Sequence, residues 1–340
     1  MEEIQGLDFI SLQETAEERS LDFCPKTFDD YIGQKELKEK LSVYTQAARM
    51  RSEALDHLLL FGPPGLGKTT LAQIMSSVMN VGIKICSGPM LERTGDLVAI
   101  LSGLEPRDIL FIDEIHRMPT NVEEVLYSAM EHFRVDVIIG QGAGAKSVNL
   151  PINSFTLIGA TTKSGMISAP LRTRFGIIEH LDFYNEEELR DIVLQNARFL
   201  EMNLSSNAAL LIAQCSRGTP RIAKKMLRRV RDFAQVRNKN VTNDQIVKDA
   251  LTFLGIDEDG LSKLDNLLLR TILENFNGGP VGLETLASLL GEDKDSLETV
   301  QEPFLLRKGY LEKTPRGRQI PFKTLPYLKR KFLGQNSLPL

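Results

Sequence analysis

Glycines, a lysine and a threonine follow a short apolar run in this 340-residue chain. The run is Leu-Leu-Leu-Phe, residues 58–61, and the loop after it reads Gly-Pro-Pro-Gly-Leu-Gly-Lys-Thr-Thr. Because glycine tolerates unusual backbone angles, the N–H groups of such a loop can converge on phosphate oxygens at the start of a helix. Lys68 would reach the β- and γ-phosphates of ATP, and the Thr69 hydroxyl would hold Mg²⁺. The pattern predicts nucleotide binding, and a chance glycine-rich turn is the alternative. The predicted binding residues in the loop are Gly62, Gly65, Leu66, Gly67, Lys68, Thr69 and Thr70.

Two adjacent acids end a second apolar run, Ile-Leu-Phe-Ile at residues 109–112. Ligands of an open parallel sheet bind at the carboxyl ends of its strands. Asp113 is therefore predicted to support the Mg²⁺ shell, and Glu114 to orient and polarise the attacking water, because phosphoryl transfer needs mainly positioning and charge neutralisation. An acidic cap facing solvent is the alternative. The nearby His116 has either a structural or interface role or a place in the active site.

Three further polar positions occur where phosphoryl transfer could use them. A Thr-Thr pair, Thr161 and Thr162, follows an apolar run, and a hydroxyl there could sense the γ-phosphate, or the pair could simply cap a turn. The arginines of Leu-Arg-Thr-Arg-Phe-Gly, residues 171–176, could act in trans as arginine fingers, or form surface salt bridges. Thr219 is a predicted helix N-cap with Pro220 at the first helical position, which aims Arg221 toward the phosphates or leaves it exposed.

Elements of regular structure must bring these residues together. Apolar runs alternate with helical patterns in the first half of the chain, and this alternation predicts a parallel sheet with helices on both faces. Residues 185–254 have a helical pattern throughout, and a linker rich in Asp and Gly, 255–260, precedes three short helices. The predicted strands are residues 58–61, 83–87, 109–112, 155–160 and 177–181, and the predicted helices between them are 34–51, 68–79, 96–102 and 122–131.

A β-hairpin is predicted over residues 133–151. Apolar residues alternate along 135–139, and a glycine-rich turn follows at 140–145 before the chain runs back. Ile138 beside Ile139 makes both faces partly apolar near the tip, and an exposed apolar tip usually marks a surface for a partner. The alternative is a hairpin that folds back on its own sheet.

Two basic tracts, 217–239 and 307–331, each contain nine Lys or Arg residues and one acid. The first has the composition of a solvated face, and some of its charges could instead lie at a subunit interface. In the second, residues 311–314 and 319–322 are predicted to pair as the wing of a winged helix that binds duplex DNA phosphates without base readout. The predicted DNA contacts are Lys313, Arg316 and Arg318.

Composition limits the remaining possibilities. The chain has 41 basic and 45 acidic residues, a net charge of −4, so contacts with nucleic acid must come from local patches. Its three cysteines are scattered without metal-binding spacing, which suits a reducing cytoplasm. No apolar stretch approaches the roughly 18 residues of a membrane span. The polar, acidic start of the chain looks like a flexible tail and not a signal peptide.

These motifs together resemble the AAA+ ATPases, and more narrowly the RuvB family of bacterial Holliday junction branch-migration motors. The resemblance runs from about Phe23 to Phe322, and its most specific phrases are Phe-Ile-Asp-Glu-Ile-His-Arg at 111–117 and Gly-Gly-Pro-Val-Gly-Leu at 278–283. It implies a P-loop AAA+ α/β fold, followed by an all-helical lid domain and a C-terminal winged-helix domain. The implied limits are a flexible tail at 1–21, the large ATPase domain at 22–182, the lid at 183–254 and the winged-helix domain at 255–335.

The resemblance also implies roles for single residues. Lys68 and Thr69 match the Walker A motif, Asp113 and Glu114 the Walker B motif, Thr162 sensor 1, Arg174 the arginine finger and Arg221 sensor 2. The adenine pocket would be lined by Tyr31, Ile32, Tyr184 and Pro220, and backbone of Glu131, His132 and Phe133 would lie near the nucleotide. One departure is Cys24, which stands where the family usually has arginine.

The implied function is an ATP hydrolase and DNA helicase that moves Holliday junctions during recombination and repair. In this family the subunits form a ring, a hexamer in the usual case, and the hairpin docks on a RuvA-type junction-binding protein. One alternative is an ATPase of the clamp-loader or replication-initiator type, against which the winged-helix segment and the hairpin argue. Another is a scaffold that uses ATP only as a switch, against which the intact Asp113-Glu114 pair argues.

Overall fold

The computed structural model describes residues 22–139, 146–238 and 242–334. The predicted tail, 1–21, the predicted hairpin turn, 140–145, and the last residue of the predicted winged-helix domain lie outside the described residues. The described chain forms two compact units, of which the first contains the segment before Asn185 and the short stretch Thr219–Arg221, and the second contains the rest.

The first unit is built on a five-stranded parallel sheet. Neighbouring strands end level with one another, since Phe61 pairs with Thr161 and Ser87 with Asp113. The predicted loop, acidic pair and threonine pair therefore follow strands that end at one edge. The strands of this unit in the described residues are β1 (Leu58–Phe61), β2 (Ile83–Ser87), β3 (Ile109–Asp113), β4 (Arg134–Ile139), β5 (Lys146–Pro151), β6 (Thr156–Thr161) and β7 (Ile177–His180). The sheet order is β2-β3-β6-β1-β7, and β4 and β5 form a separate antiparallel hairpin.

Burial follows position in the sheet. Every residue of β6 is buried, and β1 and β3 are buried except for their last residues, as their apolar runs predict. The expectation of burial on both faces is wrong for β2 and β7, which keep partial exposure because each lies at an edge of the sheet.

Helices of the first unit follow the predicted pattern with shifted starts. The third helix begins two residues early because the Asp96 carboxylate accepts the Arg93 N–H at 2.9 Å. The fourth begins early because the Pro119 carbonyl accepts the N–H groups of Val122 and Glu123, both at 3.0 Å. The helices are α1 (Lys35–Arg51), α2 (Lys68–Met79), α3 (Thr94–Ser102), α4 (Thr120–His132) and α5 (Ala169–Thr173).

The second unit begins with the predicted all-helical region. Asn185, Ser205 and Asn243 each cap a helix, with side-chain oxygens that accept an N–H three residues on. The solvated-face interpretation of the first basic tract is wrong for Arg217 and Arg228, which are buried. The helices are α6 (Glu186–Phe199), α7 (Ser206–Cys215), α8 (Pro220–Asn238), whose first two residues belong to the first unit, and α9 (Asp244–Phe253).

A winged-helix fold completes the second unit. Its helices pack around a core that includes Leu268, Leu286 and Phe304. The elements are α10 (Lys263–Phe276), α11 (Leu283–Leu290), α12 (Lys294–Ser296), a π-helical turn (Leu297–Gln301), α13 (Glu302–Arg307), β8 (Glu312–Thr314), β9 (Gly317–Gln319) and α14 (Leu325–Leu333).

The wing is tighter than the sequence predicts. The predicted second strand, 319–322, is wrong, because β9 begins at Gly317 directly after the two-residue turn Pro315-Arg316. The Thr314 hydroxyl donates to the Gly317 carbonyl at 2.9 Å and closes this turn. Ile320 then enters the core, and Pro321 has no N–H to extend the ladder. The predicted fold class, a parallel P-loop domain with a helical lid and a winged helix, is confirmed.

Candidate functional site

The loop after β1 has the backbone shape of a phosphate cradle. Gly65 and Gly67 have φ values of 78° and 101°, in the left-handed region that favours glycine. A Cβ atom on Gly67 would lie 2.7 Å from the Tyr31 hydroxyl, so a larger residue does not fit there. Thr69 and Thr70 lie half-buried in the first turn of α2, whose N-terminal N–H groups suit an anion.

Lys68 is held beneath this loop by neutral groups. Its ammonium donates to the carbonyls of Gly62 at 2.8 Å and Pro63 at 3.0 Å, and only 7% of the residue is exposed. Burial lowers the pKa of Lys68 from 10.5 to about 8, although the charges of Asp113 and Glu114 oppose the shift. Among the described residues no carboxylate forms a direct ion pair with Lys68, and a buried cation of this kind is suited to the charge of a phosphate group.

The end of β3 holds Glu114 in an unusual backbone conformation. Its φ is 48°, in the left-handed region that is uncommon outside glycine. The Glu114 N–H donates to Asp113 Oδ1 at 3.0 Å, and the Thr162 hydroxyl lies 3.2 and 3.3 Å from the two Glu114 carboxylate oxygens. Thr162 thus orients the carboxylate predicted to act on water.

His116 lies in this same cluster. Its Nδ1 atom is 3.2 Å from Glu114 Oε2 and 2.9 Å from the Thr161 hydroxyl. Burial lowers the pKa of His116 below its usual value. His116 therefore lies beside the predicted catalytic acid, and both its structural and its active-site role stay predictions. Thr161, which contacts His116, was not among the site residues predicted from the sequence. Its position next to Thr162 was the one sequence feature that could have indicated it.

Two tyrosines pack behind the phosphate loop. The Tyr31 hydroxyl donates to the Leu66 carbonyl at 3.1 Å, and the Tyr184 hydroxyl donates to that of Tyr31 at 2.7 Å. Both tyrosines are buried, and Ile32 beside them is half-buried. They hold the loop from its far side, a contact that the predicted role in an adenine pocket did not include.

The segment Thr219–Arg221 packs directly on the loop. The Arg221 N–H lies 3.4 Å from the Gly65 carbonyl, and a Cβ atom on Gly65 would lie 3.0 Å from the Arg221 Cβ. Pro220 begins helix α8 in this position, as predicted from the Thr-Pro pair. The predicted sensor 2 residue is therefore close to the predicted phosphate site.

Arg174 is placed by a separate set of residues on α4 and α5. Its guanidinium lies 4.4 Å from the ring centre of Tyr127, its Nε is 3.2 Å from Glu131 Oε1, and its Nη1 donates to the Pro170 carbonyl at 2.7 Å. Tyr127 is fixed in turn by Glu123, whose carboxylate accepts its hydroxyl at 2.5 Å. Tyr127 and Glu131 are four residues apart on one helix face, a pairing that only the folded chain reveals.

The residues that follow Glu131 point elsewhere. His132 is exposed, and Phe133 packs its ring against Phe155 with the ring centres 6.2 Å apart. In the described structure the Glu131 side chain therefore contacts Arg174, that of His132 is exposed to solvent, and that of Phe133 packs against the core. Cys24 is exposed, with its thiol 3.7 Å from the Gln73 amide oxygen.

Two of the predicted DNA contacts of the wing pair with one buried acid, Glu302, at the start of helix α13. Glu302 is 1% exposed, and its carboxylate lies 2.6 Å from Arg318 Nε and 2.7 Å from Lys313 Nζ. Glu298 adds weaker pairs with the same cations at 3.6 and 3.4 Å. Arg316 is exposed in the turn between the strands. The wing belongs to the second unit, so these residues form a site distinct from the loop.

The donor set fits a metal ion held mainly by its substrate. Among the described residues, no cluster of three or more His, Cys, Asp or Glu side chains could hold an ion alone. Thr69 and Asp113 supply a hydroxyl and a carboxylate, and Mg²⁺ is commonly bound by few protein oxygens together with substrate phosphates. In the described part of the chain, no helix is long and apolar enough to cross a membrane.

Comparisons with known proteins cover nearly the whole described chain. The family model of the Holliday junction DNA helicase RuvB P-loop domain matches residues 23–181. The RuvB AAA lid domain model matches residues 184–257, and the RuvB C-terminal winged helix domain model matches residues 258–329.

Individual relatives agree with the family models. The chain is 51% identical over 308 residues to the Holliday junction branch migration complex subunit RuvB of Ligilactobacillus salivarius (strain UCC118), which covers 91% of this chain and 92% of the relative. A solved structure of the Thermotoga maritima RuvB Holliday junction branch migration motor has a TM-score of 0.80 and 47% identity, covering 93% of this chain and 99% of that one. A variant of the Thermotoga maritima protein has a TM-score of 0.81 and 48% identity, covering 90% and 99%.

Proposed function

We propose, because the chain belongs to the RuvB family of Holliday junction branch-migration motors, that it moves four-way DNA junctions as a homo-oligomeric ring powered by MgATP. As a member of this family the chain binds nucleotide and is an ATP-driven helicase. The observation that carries the proposal is the convergence of Lys68, the Thr162–Glu114 pair and Arg221 around one end of the sheet.

Each residue at that end has a distinct task in hydrolysis. Lys68 binds the β- and γ-phosphates through its ammonium, while the loop N–H groups bind neighbouring oxygens. Thr69 and Asp113 would hold Mg²⁺, which neutralises phosphate charge when bound. Glu114 orients the attacking water and accepts its proton, and Thr162 keeps the carboxylate in that orientation. Arg221 places a second cation near the phosphates.

Arg174 acts on the site of a neighbouring subunit in this proposal. Its contacts with Tyr127 and Glu131 define the direction of the guanidinium, and Glu131 balances its charge until a phosphate competes for it. Glu131 therefore contributes to the neighbour's site through the arginine. We infer that His132 and Phe133 contribute only backbone near the nucleotide, and that Tyr31, Ile32, Tyr184 and Pro220 line the adenine pocket.

The wing is the proposed DNA contact. Arg316 is the exposed cation of the turn, while Lys313 and Arg318 reach phosphates from positions set by Glu302. Such contacts are independent of base sequence, which a translocating motor requires. Hairpin β4–β5 is the proposed docking element for a RuvA-type partner, and the ring is proposed to be a hexamer that works in the cytoplasm. The clamp-loader, initiator and scaffold alternatives are not favoured by the three RuvB domain matches.

Mixing two inactive variants tests the shared site. Arg174→Ala should bind ATP and assemble but lose about 10³–10⁵ of its turnover, the usual contribution of an arginine finger. Lys68→Ala should fail to bind ATP yet still supply Arg174. Hydrolysis restored in a mixture of the two chains, measured with junction DNA present, supports action in trans; a mixture as inactive as its components contradicts it.

A further inference from the structure

The residue before the sensor 2 turn is anchored in the winged helix. Arg217 is 3% exposed and forms an ion pair through its guanidinium with Asp265 of α10, which is fully buried. Both residues belong to the second unit. Gly218 alone separates Arg217 from the segment Thr219–Arg221 that packs on the phosphate loop.

Asp265 is itself held in place by the start of its helix. Its carboxylate accepts the Ser262 N–H at 2.8 Å and the Ser262 hydroxyl at 2.7 Å. This arrangement is a capping box, because the Ser262 hydroxyl oxygen accepts the Asp265 N–H in return. The anion that meets Arg217 therefore cannot move without breaking the first turn of α10.

Arg217 contacts two further parts of the winged helix. Its guanidinium lies 4.9 Å from the ring centre of Phe304 in α13, and its Nη1 is 3.4 Å from the Val300 carbonyl in the π-helical turn. A planar guanidinium that pairs with a carboxylate and stacks on an aromatic ring has few alternative orientations. The side chain thus connects the lid segment between α7 and α8 to α10, the π-helical turn and α13.

The backbone at this point is fixed as well. The Arg307 guanidinium of α13 donates to the Arg217 carbonyl. Gly218 has a φ of 70°, and a Cβ atom there would overlap the Arg307 guanidinium. The side chain and the carbonyl of one residue are therefore both bound by the winged helix.

We propose that Arg217 is a positioning residue that couples the nucleotide-sensing turn to the DNA-binding domain. The inference rests on the proposed function and adds the connection through which it works. Linker 255–260 joins the two domains of the second unit covalently, and the Arg217–Asp265 pair gives them a second connection, two residues before Thr219 in the chain. A shift of Thr219–Arg221 during the ATP cycle is then transmitted to the winged helix instead of being absorbed by the linker.

The opposing explanation is that the pair only stabilises the fold. A buried ion pair is weak support for that explanation, because apolar replacements of both partners are often equally stable. Removing one partner alone, in contrast, leaves a buried charge and destabilises the protein. These two properties allow stability and coupling to be separated experimentally.

The experiment compares Asp265→Asn with the double variant Arg217→Met, Asp265→Asn in the full-length protein. Both keep an oxygen acceptor for Ser262, but only the double variant removes the unpaired charge. Arg270→Ala is the matched control, since Arg270 pairs with Glu274 on the exposed face of the same helix. The measurements are thermal stability, ATP hydrolysis without DNA, DNA affinity, and base pairs of junction migration per ATP hydrolysed.

We expect Asp265→Asn to lower thermal stability and the double variant to recover it. In both variants migration per ATP should fall by about 10-fold, a typical size for loss of coupling between sites, while hydrolysis without DNA and DNA affinity stay near wild type. Recovery of migration per ATP together with stability in the double variant would overturn the inference. A wild-type protein that migrates no junctions would instead contradict the proposed function, so the two failures are distinguishable.

Discussion

The phosphate loop and the wing both present cations for phosphate, but they hold them with opposite kinds of partner. Lys68 is buried and bound by two neutral carbonyls, and in the part of the chain that the structure describes no acid forms a direct ion pair with it. Lys313 and Arg318 are already paired with Glu302, an acid that is itself buried beneath them. The two regions therefore begin from different electrostatic states.

This difference matches two kinds of phosphate recognition. A buried cation whose direct partners are neutral carbonyls gains much from a phosphate, and it favours the extra charge that develops during transfer. A compensated cation near the surface gains less from each phosphate, so its contact is easily exchanged and sensitive to salt. Tight binding suits one small substrate, and weak repeated contacts suit a long polymer that must slide.

The largest expected effect is a loss of ATP hydrolysis at the phosphate loop that leaves DNA binding by the wing unchanged. Glu114→Gln should lower ATP turnover by about 10²–10⁴, the usual contribution of a positioned base, while ATP binding remains because Lys68 and the loop are unchanged. Turnover is measured by phosphate release and binding by titration with a fluorescent nucleotide. DNA affinity should stay at the wild-type value. Turnover at the wild-type rate would remove Glu114 from the proposed mechanism.

The next largest effect is a loss of stability when Glu302, the buried acid that pairs with the wing cations, is replaced. Glu302→Gln leaves Arg318 and Lys313 without their main partner, and it should reduce the free energy of unfolding by about 3–5 kcal/mol. Denaturant titration measures this change. The matched control is Glu298→Gln, whose side chain is 45% exposed and which should cost less than about 1 kcal/mol. Equal effects of the two substitutions would show that Glu302 is not the anchor of the wing.

The pH dependence of nucleotide binding distinguishes the two regions further. Burial holds the pKa of Lys68 at about 8 in the nucleotide-free protein, and phosphate binding requires the protonated form. Above pH 8 the Lys68 amine must take up a proton when ATP binds, so the affinity for ATP should fall by up to about tenfold per pH unit. Calorimetric titration from pH 7 to 9.5 measures this, with DNA affinity over the same range as control. An affinity that stays constant to pH 9.5 would contradict the assignment.

The lowered pKa of Lys68 affects folding without nucleotide in the opposite direction, because it makes stability rise with pH. The unfolded chain keeps the Lys68 proton up to its ordinary pKa of 10.5, whereas the folded chain releases it near 8. Between these values the unfolded state binds more protons, so this residue's contribution to stability rises with pH. The burial of Lys68 is therefore unfavourable for folding at neutral pH.

Sequence reasoning succeeded where a function is encoded by neighbours in the chain. The order Gly-Lys-Thr after an apolar run fixes both a strand–helix junction and a phosphate loop, and the structure has that junction at Lys68. The Asp113-Glu114 pair likewise follows its strand directly. Local patterns failed at the wing, because the turn at Pro315-Arg316 depends on a hydrogen bond from Thr314 and on the core position of Ile320.

Contacts between distant residues were beyond prediction. Arg318 meets an acid 16 residues earlier, and Arg217 meets one 48 residues later. Nothing in the charge pattern selects these partners, since each basic tract offers many cations. The left-handed conformation of Glu114 was also unpredicted, because a glutamate in that region is set by its surroundings and not by its own preference.

The smallest predicted effect concerns the one wing cation that lies in the turn. Arg316→Ala should lower DNA affinity only a few-fold at moderate salt, but it should reduce the slope of log affinity against log salt by about 0.9, as expected for one lost phosphate contact. Arg190→Ala is the control, because Arg190 is on lid helix α6 and pairs with Asp191. Arg318→Gln should change the slope less, since Glu302 already compensates that cation. A slope unchanged by Arg316→Ala, or changed more by Arg318→Gln, would mean that the paired cations carry DNA binding and that the contrast between the loop and the wing is wrong.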